Sequence, residues 1–336
     1  MKTILIVMTG GTIGSSNKNG IISVSESSCT AIEMYNKKYG NDVCFRIHRV
    51  LNILSENLNK HYWEIIVNYI LSENLSDYDG IIITHGSDTL SYSSAMLSMC
   101  LCSIQKPIII TASNLIPEHP ESNAVENIRA AVLLIELFKK CVLTVYRNPG
   151  DDYCSVFMPT RLHEADRFLD RFTSIDGKPF GIVKNDHFTC LSDNPEQNSL
   201  ISHTNKLSLK LPLKLEKDIL MIRAYPSLRY DLIKLDNNIG AVLHITYHSS
   251  TACSDNDNSV LTLISECERY GIKLYMCSFK SSGNPIYEST DTLIKAGAVP
   301  LPHMSDESAY SKLLLSCNLP ESRHELINKN LYFEIL

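Results

Sequence analysis

Two short turns in this sequence combine glycines with side-chain hydroxyls. The first is "TGGTIG" (Thr9–Gly14) and the second is "THGSDT" (Thr84–Thr89), and each follows an apolar run. Glycines let a ligand approach the backbone closely and leave N–H groups exposed. The hydroxyl of Thr12 could act as a nucleophile in such a turn. Ser87 and Asp88 could relay a proton or hold a polar substrate.

The first turn does not match a nucleotide-binding loop. The G-x-G-x-x-G spacing is absent, and no Gly-Lys-Ser/Thr follows the first glycines. Each turn also has an explanation without chemistry. The first could be a tight turn alone, and Asp88 could cap a helix that begins near Ser91. The presence of two such turns, each after an apolar run, favours a common site.

The elements that would position these turns alternate in type along the chain. Apolar runs without polar alternation are typical of buried parallel strands. Strands are expected at Ile4–Met8, Gly80–Ile83, "KPIIITAS" and Cys141–Tyr146, and helices at Tyr62–Leu71, Ser91–Cys102 and Asn127–Phe138. This alternation predicts a doubly wound α/β domain with a mostly parallel sheet. The polar clusters after Met8, Ile83 and Ile110 fall at the carboxyl ends of strands, where such sheets bind ligands.

The pattern of apolar runs divides the chain into two domains. Residues 1–185 are expected to form the larger domain. Residues 186–214 are rich in Asn, Ser, Asp and Lys and are expected to be a linker. Strand and helix patterns then return over 215–336, which predicts a second, smaller α/β domain. A length of 336 residues suits this organisation.

Composition excludes several classes of protein. The net charge of −6 and the scattered basic residues argue against binding to nucleic acid or to an anionic membrane. Eleven cysteines without a CxxC pair or zinc-ligand spacing favour free thiols in a reducing compartment. The N-terminal apolar run is short and lacks a signal-peptide cleavage site. We therefore expect a cytoplasmic protein.

Taken together, the two turns resemble those of the bacterial-type L-asparaginase family. Other segments resemble the same family along nearly the whole chain. They are "SENLNKHYW" (Ser55–Trp63), "KPIIITAS", "ESNAVENI", "GKPFGIV", "GIKLYMCSF", "YESTDTLIKAGAV" and "MSDESAYSKLLL". The resemblance implies the asparaginase-like two-domain α/β fold, with the active site at the strand ends of the larger domain. It implies no metal or organic cofactor.

The resemblance also implies roles for individual residues. Family members split side-chain amides into acid and ammonia, with a threonine hydroxyl attacking the carbonyl and backbone N–H groups stabilising the oxyanion. Thr12 matches the nucleophile, and Ser87 and Asp88 match two members of a Thr-Lys-Asp cluster. The implied substrate-binding positions are Gly11, Ser55, Glu56, Gly86, Ala112 and Tyr287.

The lysine of that cluster has no counterpart in this sequence. No lysine lies between residues 140 and 178, and the matching segment reads "MPTRLHEADRFLDRF". Counting back from the family's phenylalanine without a gap gives His163, while other alignments give Arg161 or Glu164. An arginine stays protonated, a histidine could shuttle protons at neutral pH, and a glutamate would add a carboxylate beside Asp88. The remaining alternative is that none of the three points into the pocket.

Two further departures concern other parts of the expected site. The family's activating tyrosine is missing, because Ile21 stands near its position, and Tyr35 or Tyr39 would have to replace it. In the second domain, "YHSSTA" stands where the family has a glycine-rich turn, so that His248 is a minor candidate.

The sequence therefore predicts an amidohydrolase that acts on the side-chain amide of asparagine or of a related small amino-acid derivative. Two alternatives remain: an enzyme with altered chemistry on the same scaffold, in a biosynthetic pathway, and a non-catalytic binder of Asn or Asp. The expected partners are an amino-acid-like small molecule and further copies of the chain, in a homodimer or homotetramer with shared sites. No nucleic-acid or membrane partner is expected.

Overall fold

The computed structural model describes residues 1–18, 21–24, 30–193, 207, 209–255, 258–277, 279, 285–321 and 323–336. For 14–18 and 21–24 only the backbone is described. The chain divides into two compact units. The first comprises Met1–Leu207 with Leu211–Leu213, and the second comprises Ser208–Lys210 with Lys214–Leu336.

The strands and helices are numbered in chain order. The strands are β1 (Lys2–Gly10), β2 (Ser15–Lys18), β3 (Ile21–Val24), β4 (Val43–Ile53), β5 (Gly80–Thr84), β6 (Pro107–Thr111), β7 (Cys141–Tyr146), β8 (Cys154–Phe157), β9 (Gly181–Lys184), β10 (His187–Cys190), β11 (Asp218–Arg223), β12 (Ile239–Ile245), β13 (Leu274–Cys277) and β14 (Val299–Pro300). The helices are α1 (Thr30–Tyr39), α2 (Lys60–Ser72), α3 (Leu90–Leu101), α4 (Ala124–Leu137), α5 (Val260–Arg269), α6 (Glu288–Lys295), α7 (Asp306–Asn318) and α8 (Arg323–Asn328).

An eight-stranded sheet forms the centre of the first unit. Its strand order is β10-β9-β8-β7-β6-β5-β1-β4. Neighbouring strands in the order β4-β1-β5-β6-β7 pair in parallel. The pairings of β7 with β8, β8 with β9 and β9 with β10 are antiparallel. The central strands β5, β6 and β7 are buried along their whole length, as expected for a parallel sheet covered on both faces. The strand order reverses at β1, since the chain runs from β1 outward to β4 and then returns to pair β5 on the other side of β1.

This reversal determines where a ligand can bind. The connections that follow β1 and β5 run to opposite faces of the sheet. In such sheets a crevice opens beyond the carboxyl ends of the two strands. The two glycine turns follow β1 and β5. Met8 is in register with Thr84, so the turns leave the sheet at the same level.

The second unit is a smaller α/β structure. Its sheet has the order β11-β12-β13-β14, and all three pairings are parallel. Helix α7 carries Lys312, whose Nζ donates to Glu334 Oε1 at 2.5 Å with both side chains buried. The Glu334 carboxylate also accepts hydrogen bonds from the backbone N–H groups of Leu331 and Tyr332. These bonds tie the C-terminal segment to helix α7.

The predicted fold class, two α/β units with a larger N-terminal sheet that is mostly parallel, is confirmed. The linker expected over 186–214 needs correction at its beginning, because β10 joins the large sheet beside β9. The polar composition of this segment gave no strand pattern, so the hairpin of β9 and β10 was not predicted. Asn185 and Asp186 in its turn have positive φ values. Residues 194–206 and 208 lie outside the described part of the chain.

Strand β4 was also absent from the sequence-based prediction. It is an edge strand with many half-exposed residues, so it lacks the continuous apolar run of the central strands. Within the described ranges, no helix is long and apolar enough to cross a lipid bilayer.

We predict that Gly10→Ala destabilises the protein more than Gly40→Ala does. Both glycines have positive φ, +111° and +88°, a conformation that disfavours L-residues by about 1–2 kcal/mol. At Gly10 a Cβ would also lie 2.1 Å from the carbonyl oxygen of Ile53, whereas at Gly40 it would meet open space. The clash should add roughly 1–3 kcal/mol to the loss in the free energy of unfolding. Urea denaturation of the two variants measures the difference, and equal losses would contradict the close approach of β1 and β4.

Candidate active site

The two glycine turns touch each other at the ends of β1 and β5. Gly11 has a φ of +77°, and a Cβ there would lie 2.5 Å from the Cα of Gly86. A Cβ on Gly86 would lie 2.4 Å from Ser55 Oγ. Only glycine fits at both positions, because backbone meets backbone on one side and the Ser55 side chain on the other. The turns identified in the sequence therefore form one structure.

Hydrogen bonds hold the two turns in place. Thr9 Oγ1 donates to the carbonyl of Thr84 at 2.9 Å in a buried bond between the ends of β1 and β5. The N–H of Gly11 donates to the carbonyl of Ile53 at 3.2 Å. Thr12 comes next and begins a short 3-10 turn, in which it is half-buried. The backbone on the N-terminal side of the candidate nucleophile is thus fixed.

Ser55 and Asp88 also come together, although 33 residues separate them in the sequence. Ser55 is buried, and its Oγ lies 3.5 Å from Asp88 Oδ2, at the outer limit of a hydrogen bond. Thr89 Oγ1 donates to the Ser55 carbonyl at 3.0 Å, which ties the loop after β4 to the loop after β5. Glu56, the other candidate for substrate binding in this loop, is exposed.

Asp88 does not cap a helix. Helix α3 begins at Leu90 with Thr89 in the N-cap position, and the Thr89 side chain makes no capping hydrogen bond. The alternative that explained Asp88 as a cap is therefore wrong, and its exposed carboxylate is directed to other contacts.

A cavity of about 360 Å³ opens beside Ser87 and Asp88. Its walls come from the ends of β5, β6 and β7 and from the segment between residues 164 and 172. The lining residues are Ser87, Asp88, Asn114, Tyr146, Glu164, Ala165, Asp166, Arg167, Asp170 and Phe172. The position of the cavity agrees with the rule that α/β sheets bind ligands beyond the carboxyl ends of their strands.

Among the three residues that could stand at the lysine position, the described lining of this cavity includes Glu164 alone. Arg161 is 5% exposed, and its Nη1 donates to Asp176 Oδ2 at 3.0 Å. His163 is half-buried, and its backbone N–H donates to the carbonyl of Thr173. Of the three, Glu164 is thus the residue that shares the described lining of this cavity with Asp88.

The cavity is rich in carboxylates. Four acidic side chains, those of Asp88, Glu164, Asp166 and Asp170, line it together with one basic side chain, Arg167. Asp166 Oδ1 is engaged locally, since it accepts hydrogen bonds from two backbone N–H groups of the following turn. The surplus of negative charge favours a ligand that carries a positively charged group on this side.

Two polar residues of the cavity wall, Asn114 and Tyr146, were not among the site residues proposed from the sequence. Asn114 follows β6, and its backbone and side chain exchange hydrogen bonds with Asn123 at 3.0 and 3.1 Å. Tyr146 ends β7 and packs edge-on against Phe172, and burial raises the pKa of its phenol, so that it stays protonated at neutral pH. Both residues stand at the carboxyl ends of parallel strands. The same rule that pointed to the glycine turns would have found them.

Several other candidates are not among the described residues that line this cavity. Ala112 is buried after β6, where its carbonyl accepts a hydrogen bond from Asn127 Nδ2 at 2.9 Å. Tyr287 and His248 are exposed residues of the second unit. Tyr287 is the N-cap residue of α6, and His248 Nε2 lies 3.1 Å from Ser249 Oγ.

The two tyrosines suggested as replacements for the family's activating tyrosine point to helix α4. Tyr35 Oη accepts a hydrogen bond from Arg129 Nη1 at 3.4 Å, and the Arg129 guanidinium lies 5.0 Å from the ring centroid of Tyr39. The side chain of Ile21, which stands near the family's tyrosine position, lies outside the described part of the structure.

Comparisons with known proteins agree with this geometry. Two glutamyl-tRNA(Gln) amidotransferase D subunits are similar to this chain. That of Methanosphaera stadtmanae is 27% identical, over 97% of this chain and 74% of its own, and that of Archaeoglobus fulgidus is 29% identical, over 98% and 78%.

Solved structures have the same fold. The thermostable L-asparaginase from Thermococcus kodakarensis superposes with a TM-score of 0.80 at 22% identity and covers 99% of both chains. L-asparaginase I from Vibrio cholerae gives 0.75 at 19% identity, over 100% of this chain and 99% of its own. The family model "Asparaginase, N-terminal" matches residues 3–195, more than half of the sequence. The chain therefore belongs to the asparaginase family of amidohydrolases.

Proposed function

We propose that this protein hydrolyses the side-chain amide of asparagine or of a related small amino-acid derivative, with Thr12 as the nucleophile. The contact between the two glycine turns carries the proposal. It brings the residue before Thr12 within van der Waals distance of Gly86, which precedes Ser87 and Asp88. On this proposal, the Thr12 hydroxyl and the Ser87–Asp88 pair flank one crevice, the arrangement that acyl transfer requires.

The proposed reaction has two steps. In the first, Thr12 Oγ1 attacks the amide carbonyl carbon, its proton passes to the amide nitrogen, and the carbon–nitrogen bond breaks to release ammonia. In the second, water attacks the resulting ester of Thr12, which yields the acid and returns the proton to the threonine oxygen. Both steps need a group that takes up and returns a proton.

Glu164 is our candidate for that group. It lines the same cavity as Ser87 and Asp88, and a carboxylate can accept the proton that a protonated lysine or arginine cannot. Asp88, with Ser55 beside it, is suited to hold the substrate's ammonium group. The surplus of carboxylates around the cavity supports recognition of that positive charge.

A second function is favoured by the relatives reported above. Their names make them subunits of an amidotransferase for glutamyl-tRNA(Gln), and they align with nearly the whole of this chain. On that proposal, the ammonia is released for use by a partner protein. The two functions differ in whether hydrolysis depends on a second protein, and in whether L-glutamine is preferred to L-asparagine as the amide donor.

We expect Thr12→Val to abolish ammonia release, because valine keeps the size and shape of threonine but lacks the hydroxyl. Thr12→Ser should keep measurable activity, since it retains the nucleophilic oxygen. A coupled assay of ammonia with L-Asn, L-Gln and D-Asn measures the loss, which we expect to be at least ~100-fold. Equal rates for Thr12→Val and the wild type would contradict the proposed nucleophile. Saturable binding of L-aspartate without any turnover in the wild type would instead favour the binding protein.

We expect Glu164→Gln to lower kcat by roughly 10²–10⁴-fold, the usual contribution of a general base. The Michaelis constant should change much less, because Asp88 still holds the substrate's ammonium group. Glu136→Gln is the matched control. That glutamate lies on α4, partly exposed, with Lys2 Nζ at 3.8 Å, and is not among the residues that line the cavity. Steady-state kinetics of both variants makes the comparison, and an unchanged kcat for Glu164→Gln would exclude Glu164 from the proton transfer.

A further inference from the structure

Three buried polar side chains, linked by hydrogen bonds into a continuous chain, lead to the second glycine turn. Trp63 Nε1 lies 2.8 Å from Ser93 Oγ, Ser93 Oγ lies 2.9 Å from His85 Nε2, and His85 Nδ1 lies 2.9 Å from the carbonyl oxygen of Gly86. The three residues are at most 3% exposed. Helices α2 and α3 supply Trp63 and Ser93, so the chain connects two helices to the backbone of the turn.

The chemistry of the two ends determines the direction of every bond in this chain. The carbonyl of Gly86 only accepts, so His85 Nδ1 must carry a hydrogen. Burial lowers the pKa of His85, which keeps its imidazole neutral, so Nε2 is the acceptor. Ser93 therefore donates to Nε2 and accepts from the indole N–H of Trp63, which can only donate. The result is a single defined tautomer of His85 with Nδ1 protonated.

The last bond fixes the orientation of one peptide group. The Gly86–Ser87 peptide is trans, and in a trans peptide the C=O and the N–H point in opposite directions. Because the carbonyl is held towards His85, the N–H of Ser87 faces away from the buried imidazole. Among the described residues, no acceptor bonds to this N–H. Ser87 itself lines the cavity with Asp88 and Glu164.

We propose that Trp63, Ser93 and His85 are positioning residues that hold the Gly86–Ser87 peptide with its N–H directed at the substrate. This inference rests on the proposed function. A preorganised backbone donor is effective only when its direction is fixed before the substrate arrives. Gly86 cannot fix that direction through a side chain of its own, because Ser55 fills the space where a Cβ would stand. The buried histidine supplies the constraint through its bond to the Gly86 carbonyl.

Two neighbouring serines of helix α3 offer a matched test. Ser93 and Ser94 are both fully buried and both hydrogen-bonded, but Ser94 contacts Thr144 Oγ1 at 2.9 Å and takes no part in the chain. We expect Ser93→Ala to lower kcat at least ~10-fold, since His85 Nε2 loses its donor and the tautomer is no longer fixed. Ser94→Ala should lose similar thermal stability with little change in kcat. Equal kcat values for the two variants would overturn the proposal.

Two substitutions of His85 separate positioning from packing. The side-chain nitrogen of asparagine can take the place of Nδ1, whereas that of glutamine reaches the place of Nε2. His85→Asn should therefore keep the bond to the Gly86 carbonyl and most of kcat, and His85→Gln should lose both. If the two variants have the same melting temperature and the same kcat, the histidine only fills space.

One measurement does not depend on catalysis. In protein labelled with ¹⁵N-histidine, the NMR shifts of His85 should show Nδ1 protonated and Nε2 unprotonated, and Ser93→Ala should change them. Protonation at Nε2 in the wild type would overturn the proposal even if the enzyme is active. If the protein hydrolyses no amide, the proposed function is wrong, but the proposed positioning of the Gly86–Ser87 peptide is still testable. Calorimetric binding of L-aspartate to the two His85 variants then tests it.

Discussion

The close contact between two glycine turns is the constraint on which the site depends. Gly11 and Gly86 meet where the strand order reverses between β1 and β5, and neither position has room for a Cβ. Backbone that approaches so closely brings the residues that follow the two glycines, Thr12 and Ser87, to the same end of the sheet. Three neighbouring contacts stabilise this approach. The N–H of Gly11 donates to the carbonyl of Ile53, and Ser55 occupies the space where a Cβ of Gly86 would lie. The hydrogen bond from Thr9 to the carbonyl of Thr84 joins the ends of β1 and β5.

The second determinant of the site is its charge. A family member without the usual lysine could have kept a cation through Arg161, but that guanidinium is buried against Asp176 and serves the structure of its own loop. Glu164 and three other carboxylates line the cavity instead. The cavity beside Ser87 and Asp88 is therefore lined mainly by carboxylates, and the proposed roles in proton transfer and substrate recognition fall to carboxylate groups.

Local sequence patterns predicted the central elements well, because those strands are continuous apolar runs bounded by turn residues. The strand Cys141–Tyr146 agrees with the prediction at both ends, and the helices α2, α3 and α4 agree to within three residues. Among the strands that were not predicted are β8 and β9, which are short, and the edge strands β4 and β10. An edge strand is exposed along one side, so it carries mixed polar and apolar residues and no clear period.

The sequence by itself determined the family, the fold class, and the two turns that carry Thr12, Ser87 and Asp88, since glycines and hydroxyls after buried strands leave a recognisable local signature. Only the tertiary structure shows which of the three candidate side chains lines the same cavity as Asp88. Arg161, His163 and Glu164 lie within four consecutive positions of one loop, and nothing local distinguishes the residue that pairs with Asp176 from the one that faces the cavity. The same holds for the buried chain from Trp63 to Gly86. Its members come from two helices and a turn, and only packing brings them within hydrogen-bond distance.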